Sequence, residues 1–178
     1  MIIAMYSQLF SVAFLAVSTL VAADPTVYLI RHGEKPDDGG TGLSAEGEDR
    51  AQCVRQVFGA SSEYNIGYIM AMTPKDNGKR NRPYLTVKPL ADDLGLEVDT
   101  SCDRDDPECV KDAVDDYDGD QNILICWEHD ALTDIIEELG ADDAPEYPSD
   151  SYDLIWTDPA PYTEIISETS EQCPGLDN

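Results

Sequence analysis

Apolar residues along this chain follow two alternating patterns. Short, continuous apolar runs predict strands that are buried on both faces, and four such runs occur. Between them, apolar residues recur at the spacing of an amphipathic helix. Strands that alternate with helices predict a mostly parallel central sheet with helices on both faces, which is a three-layer α/β sandwich. The predicted strands are 26–30, 66–72, 122–127 and 152–157.

Each of the four predicted helices has a start signal, a stop signal or both. Ser is a good N-cap residue, Pro is favoured in the first helical turn, and Gly commonly ends a helix. These signals are Ser44 and Gly59 for the first helix, Pro83 and Gly95 for the second, Pro107 at the start of the third and Gly140 at the end of the fourth.

The first 23 residues contain no charged side chain and include a long apolar stretch. With the small residues Val21 and Ala23 at the cleavage positions, this segment is predicted to be a secretory signal peptide, cut before Asp24. A permanent membrane anchor is the alternative, because the run is near the length that spans a bilayer. Residues 24–178 have the length of a single domain, without internal repeats or linkers. We expect a secreted protein without stable membrane association.

Acidic residues dominate the charge, with 37 Asp and Glu against 11 Lys and Arg and a net charge of −26. Nucleic acids and anionic membrane surfaces are therefore poor partners. The acidity fits a protein that works outside the cell in acidic surroundings, although it could equally serve solubility alone.

Five cysteines are an odd number, and in an exported chain most should form disulfides. Cys102 and Cys109 bracket a short polar loop and are the first choice for a pair. Cys53 and Cys173 are the second choice. Cys126, inside an apolar run, is then left as a free thiol that packs as a small hydrophobic residue.

The only two histidines each follow a predicted strand, His32 after the first and His129 after the third. Ligands of α/β sheets bind beyond the carboxyl ends of parallel strands, so the two imidazoles are expected to face one small substrate. A neutral His32 beside Arg31 could attack a phosphoryl group and form a phosphohistidine, while the arginine stabilises the negative charge. The sequence thus favours phosphoryl chemistry over a role in packing for this pair.

Four of the eleven basic residues lie in the segment after the second strand: Lys75, Lys79, Arg80 and Arg82. Arg82 is at the start of a predicted helix, where an anion is readily bound, and is predicted to bind phosphate. A solvated basic loop is the alternative for the other three.

Asp130 follows His129 directly and is predicted to protonate the leaving alkoxide and later to activate water. A donor must be protonated at the working pH, so this role implies an acidic pH optimum. Capping of the fourth helix is the alternative role for Asp130.

Four segments, in the same order along the chain, resemble motifs of the histidine phosphatase, or phosphoglycerate mutase-like, superfamily, and particularly of its small exported fungal members. They are Arg-His-Gly-Glu at 31–34, Leu-Ser-x-x-Gly-x-x-Arg-Ala at 43–51, Thr73-Pro74 followed by Arg82 and Thr86, and the late His129. The resemblance extends from residue 27 to about residue 157 and so covers most of the predicted domain.

By this resemblance His32 is the phosphorylated nucleophile, and Arg31, Arg82 and His129 form the phosphate pocket, without a metal or an organic cofactor. Leu85 departs from the family pattern, which has Gln there. The His129-Asp130 pair resembles the acid phosphatase branch, in which the aspartate is the proton donor.

Carboxylates other than Asp130 are also candidates for the proton donor. No residue is an unambiguous counterpart of the glutamate donor in the mutase branch, although Glu34 and the acidic loop Asp103, Asp105 and Asp106 are candidates.

The predicted function is hydrolysis of small phosphomonoesters, with a phosphorylated substrate or inorganic phosphate as the partner. The alternative is a catalytically weak or inactive protein of the same fold that binds a phosphorylated ligand. A third possibility is a secreted, disulfide-stapled structural protein with an idle site.

Overall fold

The computed structural model describes residues 24–177, so the predicted signal peptide and Asn178 lie outside the described residues. Six strands form one sheet and four helices cover it. Within residues 24–177, no helix is both long enough and apolar enough to cross a membrane. The strands are β1 (Thr26–Arg31), β2 (Ile66–Ala71), β3 (Val98–Asp99), β4 (Asn122–Trp127), β5 (Leu154–Pro159) and β6 (Ser167–Ser170). The helices are α1 (Ala45–Val57), α2 (Arg82–Leu94), α3 (Pro107–Asp115) and α4 (His129–Leu139).

The strand order is β3-β2-β4-β1-β5-β6. Strands β3, β2, β4 and β1 are parallel, whereas β5 and β6 run antiparallel to their neighbours. Helices α1 and α2 pack on one face of the sheet, and α3 and α4 pack on the other. The predicted mostly parallel sheet with helices on both faces is confirmed.

The signals at the helix ends are largely confirmed. Ser44 caps α1 by accepting a hydrogen bond from the Gly47 backbone N–H, and α3 begins at Pro107. Gly95 ends α2 in the left-handed conformation, at φ 69°, which a glycine adopts without strain. Helix α2 begins at Arg82, one residue before the predicted start.

The capping alternative for Asp130 is wrong, because Glu128 is the N-cap of α4 and its side chain accepts a hydrogen bond from the Asp130 backbone N–H. Asp130 is the second residue of the helix, and its Oδ1 contacts His129 Nε2 at 3.0 Å instead of a backbone N–H.

Both predicted disulfides are present, Cys53–Cys173 and Cys102–Cys109, and Cys126 is a buried free thiol. The first bond joins α1 to the C-terminal residues, and the second closes the loop before α3. The two chosen cysteine pairs and the free Cys126 are therefore confirmed.

One carboxyl group is buried in the sheet without a partner. Asp158, in β5 opposite Val27 of β1, has no exposed surface, and neither of its carboxylate oxygens has a hydrogen-bond partner among the described residues. Burial raises the pKa of Asp158 to about 7. The native state therefore binds a proton that the unfolded chain has already released above about pH 4.

We expect Asp158→Asn to flatten the dependence of stability on pH. In the wild type this group lowers the free energy of unfolding as pH rises from about 4 to about 7, by on the order of 4 kcal/mol. The neutral amide removes that loss, so the variant gains on the wild type between acidic and mildly basic pH. Chemical denaturation at several pH values measures the difference. The exposed Asp142→Asn is the control, and parallel pH profiles for Asp158→Asn and wild type would contradict the expectation.

Candidate active site

The two histidines lie at neighbouring strand ends, as predicted. In the register of β1 and β4, Arg31 is opposite Trp127, and the His32 backbone N–H donates to the Trp127 carbonyl over 3.1 Å. Parallel strands lie about 4.8 Å apart, so the residues that follow both strands meet at one edge of the sheet. His32 is 1 % exposed and His129 is 9 % exposed.

The contacts of His32 define which ring nitrogen is reactive. Its Nδ1 lies 2.7 Å from the Gly33 carbonyl oxygen, which can only accept a hydrogen bond. Nδ1 therefore holds the proton, and Nε2 retains the lone pair that a nucleophile needs. Burial lowers the pKa of His32 to about 3, against the opposing effect of the Gly33 hydrogen bond, with further lowering by Lys35, Arg31 and Arg82. His32 is neutral even in acidic solution.

Arg31 is held in place next to His32. Its NH1 group donates hydrogen bonds to the backbone carbonyls of Ser149, at 2.9 Å, and Ser151, at 2.6 Å. The guanidinium carbon lies 3.8 Å from the ring centre of Tyr152. Its Nε is buried and has no hydrogen-bond partner among the described residues. An unpaired cationic donor at this position is suited to an anion.

Arg82 and Thr86, in the first turns of α2, contact the loop that contains His32. Arg82 Nε donates to the Gly42 carbonyl over 2.9 Å, which fixes its position. The Thr86 hydroxyl accepts a hydrogen bond from the Gly33 backbone N–H at 2.9 Å and donates to the Arg82 carbonyl at 2.8 Å. Helix α2 thus supports Gly33, the residue that follows His32.

The other basic residues of the 75–82 segment are not part of this cluster. Arg80 pairs with Asp105 at 2.9 Å and Asp103 at 3.5 Å, while Lys75 and Lys79 are exposed. Of the four, only Arg82 lowers the pKa of His32. The pairing of Arg80 also occupies two of the candidate donors in the acidic loop.

His129 lies between two carboxylates. Its Nε2 is 3.0 Å from Asp130 Oδ1, and its Nδ1 is 2.8 Å from Glu128 Oε1 but is not aligned for a hydrogen bond. Burial and Arg31 lower the pKa of His129, against the opposing effects of Glu128 and Asp130. The Asp130 side chain is 67 % exposed, so it can approach a leaving group at the mouth of the site.

Glu128 and Lys35 are functional candidates that the sequence did not single out. Burial alone would raise the pKa of Glu128, but a hydrogen bond from Arg104 and the nearby cations lower it. Lys35 Nζ lies 3.8 Å from Glu128 Oε1, and burial and Arg31 lower the pKa of Lys35. Lys35 is only three residues after His32, so its position in the same loop was the available signal.

Three side chains around His129 could together bind a metal ion. Glu128, His129 and Asp130 place one possible ligand atom each within 4.8 Å of one another. Glu128 already accepts a hydrogen bond from Arg104, and the Asp130 side chain is exposed to solvent. The three groups are therefore not arranged for a cation alone and could also contact a substrate.

Glu34, the alternative proton donor, lies against α1. Its Oε1 accepts a hydrogen bond from Arg50 Nε at 2.9 Å and forms an ion pair with Arg50 NH2 at 2.8 Å, and Arg50 is buried. The structure therefore places Glu34 in an ion pair with Arg50, whereas Asp130 is next to His129.

A cavity of about 440 Å³ opens beside His129. Its floor includes Tyr147 and Ser149, and the carbonyl of Ser149 is one of the groups that hold Arg31. The cavity therefore adjoins the arginine and is large enough for a small organic group. Its lining residues are His129, Asp130, Thr133, Asp134, Glu146, Tyr147, Pro148 and Ser149.

No protein-family model matches the chain, and no curated protein sequence matches it. Solved structures do. The protein histidine phosphatase SixA, complexed with tungstate, has a TM-score of 0.58 at 15 % sequence identity, over 82 % of this chain and 97 % of that one. This chain has the phosphoglycerate mutase-like fold.

Two further structures with this fold are enzymes that act on phosphate esters by name. Phosphoserine phosphatase from Entamoeba histolytica, in complex with 3-phosphoglyceric acid, has a TM-score of 0.56 at 16 % identity, over 83 % of this chain and 98 % of that one. A mycobacterial glucosyl-3-phosphoglycerate phosphatase, in complex with inorganic phosphate, has a TM-score of 0.52 at 14 % identity, over 75 % of this chain and 88 % of that one. At these identities the likeness concerns the fold.

The environment of His32 predicts an unusual titration. A histidine in water titrates near pH 6.5, but the ring of His32 should stay neutral and show no titration above about pH 4. NMR of the two imidazoles as a function of pH measures this directly. His129→Asn leaves one imidazole and so assigns the signals. A midpoint near pH 6.5 for His32 would show that its ring is not buried among cations.

Proposed function

We propose that the protein is a secreted histidine phosphatase of the small exported type, which hydrolyses small phosphomonoesters through a phosphohistidine on His32. One observation above all supports this proposal. A buried, neutral imidazole is surrounded by Lys35, Arg31 and Arg82, all of which lower its pKa, in a protein with a net charge of −26. Cations gathered around one nucleophile in so acidic a chain are suited to a bound anion.

The reaction follows from the positions of these groups. The Nε2 lone pair of His32 attacks the phosphorus atom, and the bond from phosphorus to the ester oxygen breaks. The cationic side chains of Arg31 and Arg82, together with His129, stabilise the negative oxygens in the transition state. Asp130 donates a proton to the leaving alkoxide, then takes one from the water that hydrolyses the phosphohistidine.

An acidic working range fits these assignments. His32 has a pKa of about 3 and is a competent nucleophile well below neutral pH, where most histidines are charged. A carboxyl donor such as Asp130 is protonated more often in acid. The two disulfides are typical of the oxidising environment outside the cell, which supports the proposed secretion.

We expect the purified protein to hydrolyse p-nitrophenyl phosphate, faster at acidic than at neutral pH, and His32→Ala to abolish turnover. The loss follows because His129, the other buried imidazole among the described residues, lies between the carboxylates of Asp130 and Glu128 and is assigned to the phosphoryl oxygens. Release of p-nitrophenol across the pH range measures activity. Arg55→Gln, on the exposed side of α1, is expressed and purified in the same way and should retain full activity, so it serves as the control.

The outcomes separate the alternatives. Binding of inorganic phosphate without turnover would identify a phosphate-binding protein of the same fold instead of an enzyme. Neither turnover nor phosphate affinity would identify an idle site. Equal turnover by wild type and His32→Ala would remove the phosphohistidine mechanism.

The proposed donor predicts a dependence on the leaving group. Asp130→Asn should slow turnover of alkyl phosphates by roughly 10²-fold, the usual contribution of a general acid, and slow p-nitrophenyl phosphate much less. The nitrophenolate departs readily without a proton, so trapping of the labelled phosphoenzyme from it should remain fast. Steady-state rates on both substrates measure the ratio. Glu34→Gln is the matched variant, and the same selective loss there would assign the donor to Glu34.

A further inference from the structure

We propose that the C-terminal segment 171–177, here called the tail clamp, positions the nucleophile loop 32–35 through the buried Arg50. The inference rests on the proposed function, because it assigns Arg50 and the tail clamp a positioning role in that reaction. Neither touches the substrate.

Arg50 joins the tail clamp to the nucleophile loop. It is 1 % exposed, and its guanidinium has partners on two sides. Towards the loop, Nε and NH2 contact Glu34 Oε1 at 2.9 and 2.8 Å. Towards the tail clamp, NH1 contacts Glu171 Oε2 at 2.8 Å and Asp177 Oδ1 at 3.3 Å, and NH2 donates to the Leu176 carbonyl at 3.1 Å. The orientation that serves Glu34 is thus set by the tail clamp.

The tail clamp is itself a fixed turn. Cys173 is bonded to Cys53, one turn after Arg50 on α1. Asp177 Oδ2 accepts hydrogen bonds from the Cys173 backbone N–H at 2.7 Å and from the Ser170 hydroxyl at 2.6 Å. Glu171 is 2 % exposed. The disulfide and these hydrogen bonds place the carboxyl groups of Glu171 and Asp177 and a backbone carbonyl around Arg50.

The nucleophile loop has little freedom to move independently of α1. The Ser44 backbone N–H donates to the Glu34 carbonyl at 3.0 Å. A side chain at Gly47 would lie 2.6 Å from the Glu34 carbonyl oxygen, and one at Gly33 would lie 2.9 Å from the Gly47 carbonyl oxygen. Backbone therefore packs directly on backbone at this point. A shift of Glu34 would be transmitted to Gly33 and to the Nδ1 hydrogen bond of His32.

Loss of the tail clamp would leave Arg50 buried with one partner, Glu34, instead of four. A buried charge with missing partners is costly, so its side chain would seek water and draw Glu34 with it. Displacement of a reacting group by about 1 Å can lower a rate by about 10²-fold. The predicted effect is on kcat, since the cations that bind the phosphate are elsewhere.

Three variants test the tail clamp: the double variant Cys53→Ser/Cys173→Ser, Glu171→Leu and Glu171→Gln. The first removes the covalent tie. The second removes one of the three tail-clamp acceptors of Arg50, while the third keeps an acceptor oxygen in a side chain of the same size. We expect the first two to lower kcat by roughly 10-fold to 10²-fold with little change in KM, and Glu171→Gln to retain most of the activity.

Two controls separate positioning from loss of stability. Arg55→Gln removes a guanidinium from the same helix, where its pair with Asp93 is exposed, and should leave kcat unchanged. Val54→Ala weakens the core under α1 without touching the Arg50 contacts, so it should lower the melting temperature without lowering kcat at temperatures where it is folded. A fall in kcat for Val54→Ala equal to that for Glu171→Leu would overturn the inference.

A second measurement does not require catalysis. Amide hydrogen exchange of residues 33–35 and the NMR signals of His32 should change in Glu171→Leu and revert in Glu171→Gln. If the wild type proves inactive, the proposed function fails while this measurement still tests the clamp. Unchanged exchange and unchanged His32 signals in Glu171→Leu would overturn the inference, whatever the activity. The same comparison replaces the disulfide variant if that variant does not fold.

Discussion

The parallel pairing of β1 with β4 is the constraint on which the site depends. Residues that are about a hundred positions apart in the chain leave the sheet at the same edge because the two strands run in the same direction in a fixed register. A slip of one residue would turn every side chain of a strand to the opposite face. The backbone hydrogen bond from His32 to Trp127 extends the pairing one step beyond the strand, and so the position of His32 is fixed by the sheet itself.

Electrostatics then makes this edge different from the rest of the surface. The protein is strongly acidic, yet the surroundings of His32 include three cations and the hydrogen-bond acceptors that hold them in place. Backbone carbonyls do much of this holding: those of Ser149 and Ser151 for Arg31, and that of Gly42 for Arg82. Neutral acceptors orient a guanidinium without cancelling its charge. The cations around His32 therefore repel one another, and a bound anion would reduce this repulsion.

Much of this arrangement could be predicted from the sequence, because it depends on local patterns. Apolar runs and end signals located the four long strands, the helices and the sheet edge, and the two histidines followed from that edge. The pattern could not find β3, which has two residues, or β6, whose sequence Ser-Glu-Thr-Ser contains no apolar residue. It also placed the fourth long strand at 152–157, two residues before β5, because Tyr152 continues the apolar run but packs on Arg31.

Contacts between distant segments were the part of the site that no local pattern could reveal. Glu34 lies in the same motif as His32 and was a candidate donor. Its partner Arg50 is sixteen residues later, and the further partners of Arg50 are more than a hundred residues away. The groups that orient Arg31 are backbone carbonyls, which every residue has, so the sequence could not indicate them. For the cysteines, only the Cys102–Cys109 choice had a local reason, the short polar loop between the two residues.

The polar sequence of β6 has a consequence for how copies of the protein meet. An outermost strand exposes a row of unused backbone donors and acceptors, and a long apolar one invites another chain to extend the sheet. At the two outer positions of the described sheet, one strand is only two residues long and the other is hydroxyl-rich with a carboxylate. Neither offers a good template for strand addition, and the charge of the whole molecule repels an approaching copy. At high concentration the folded protein should therefore resist association through its sheet.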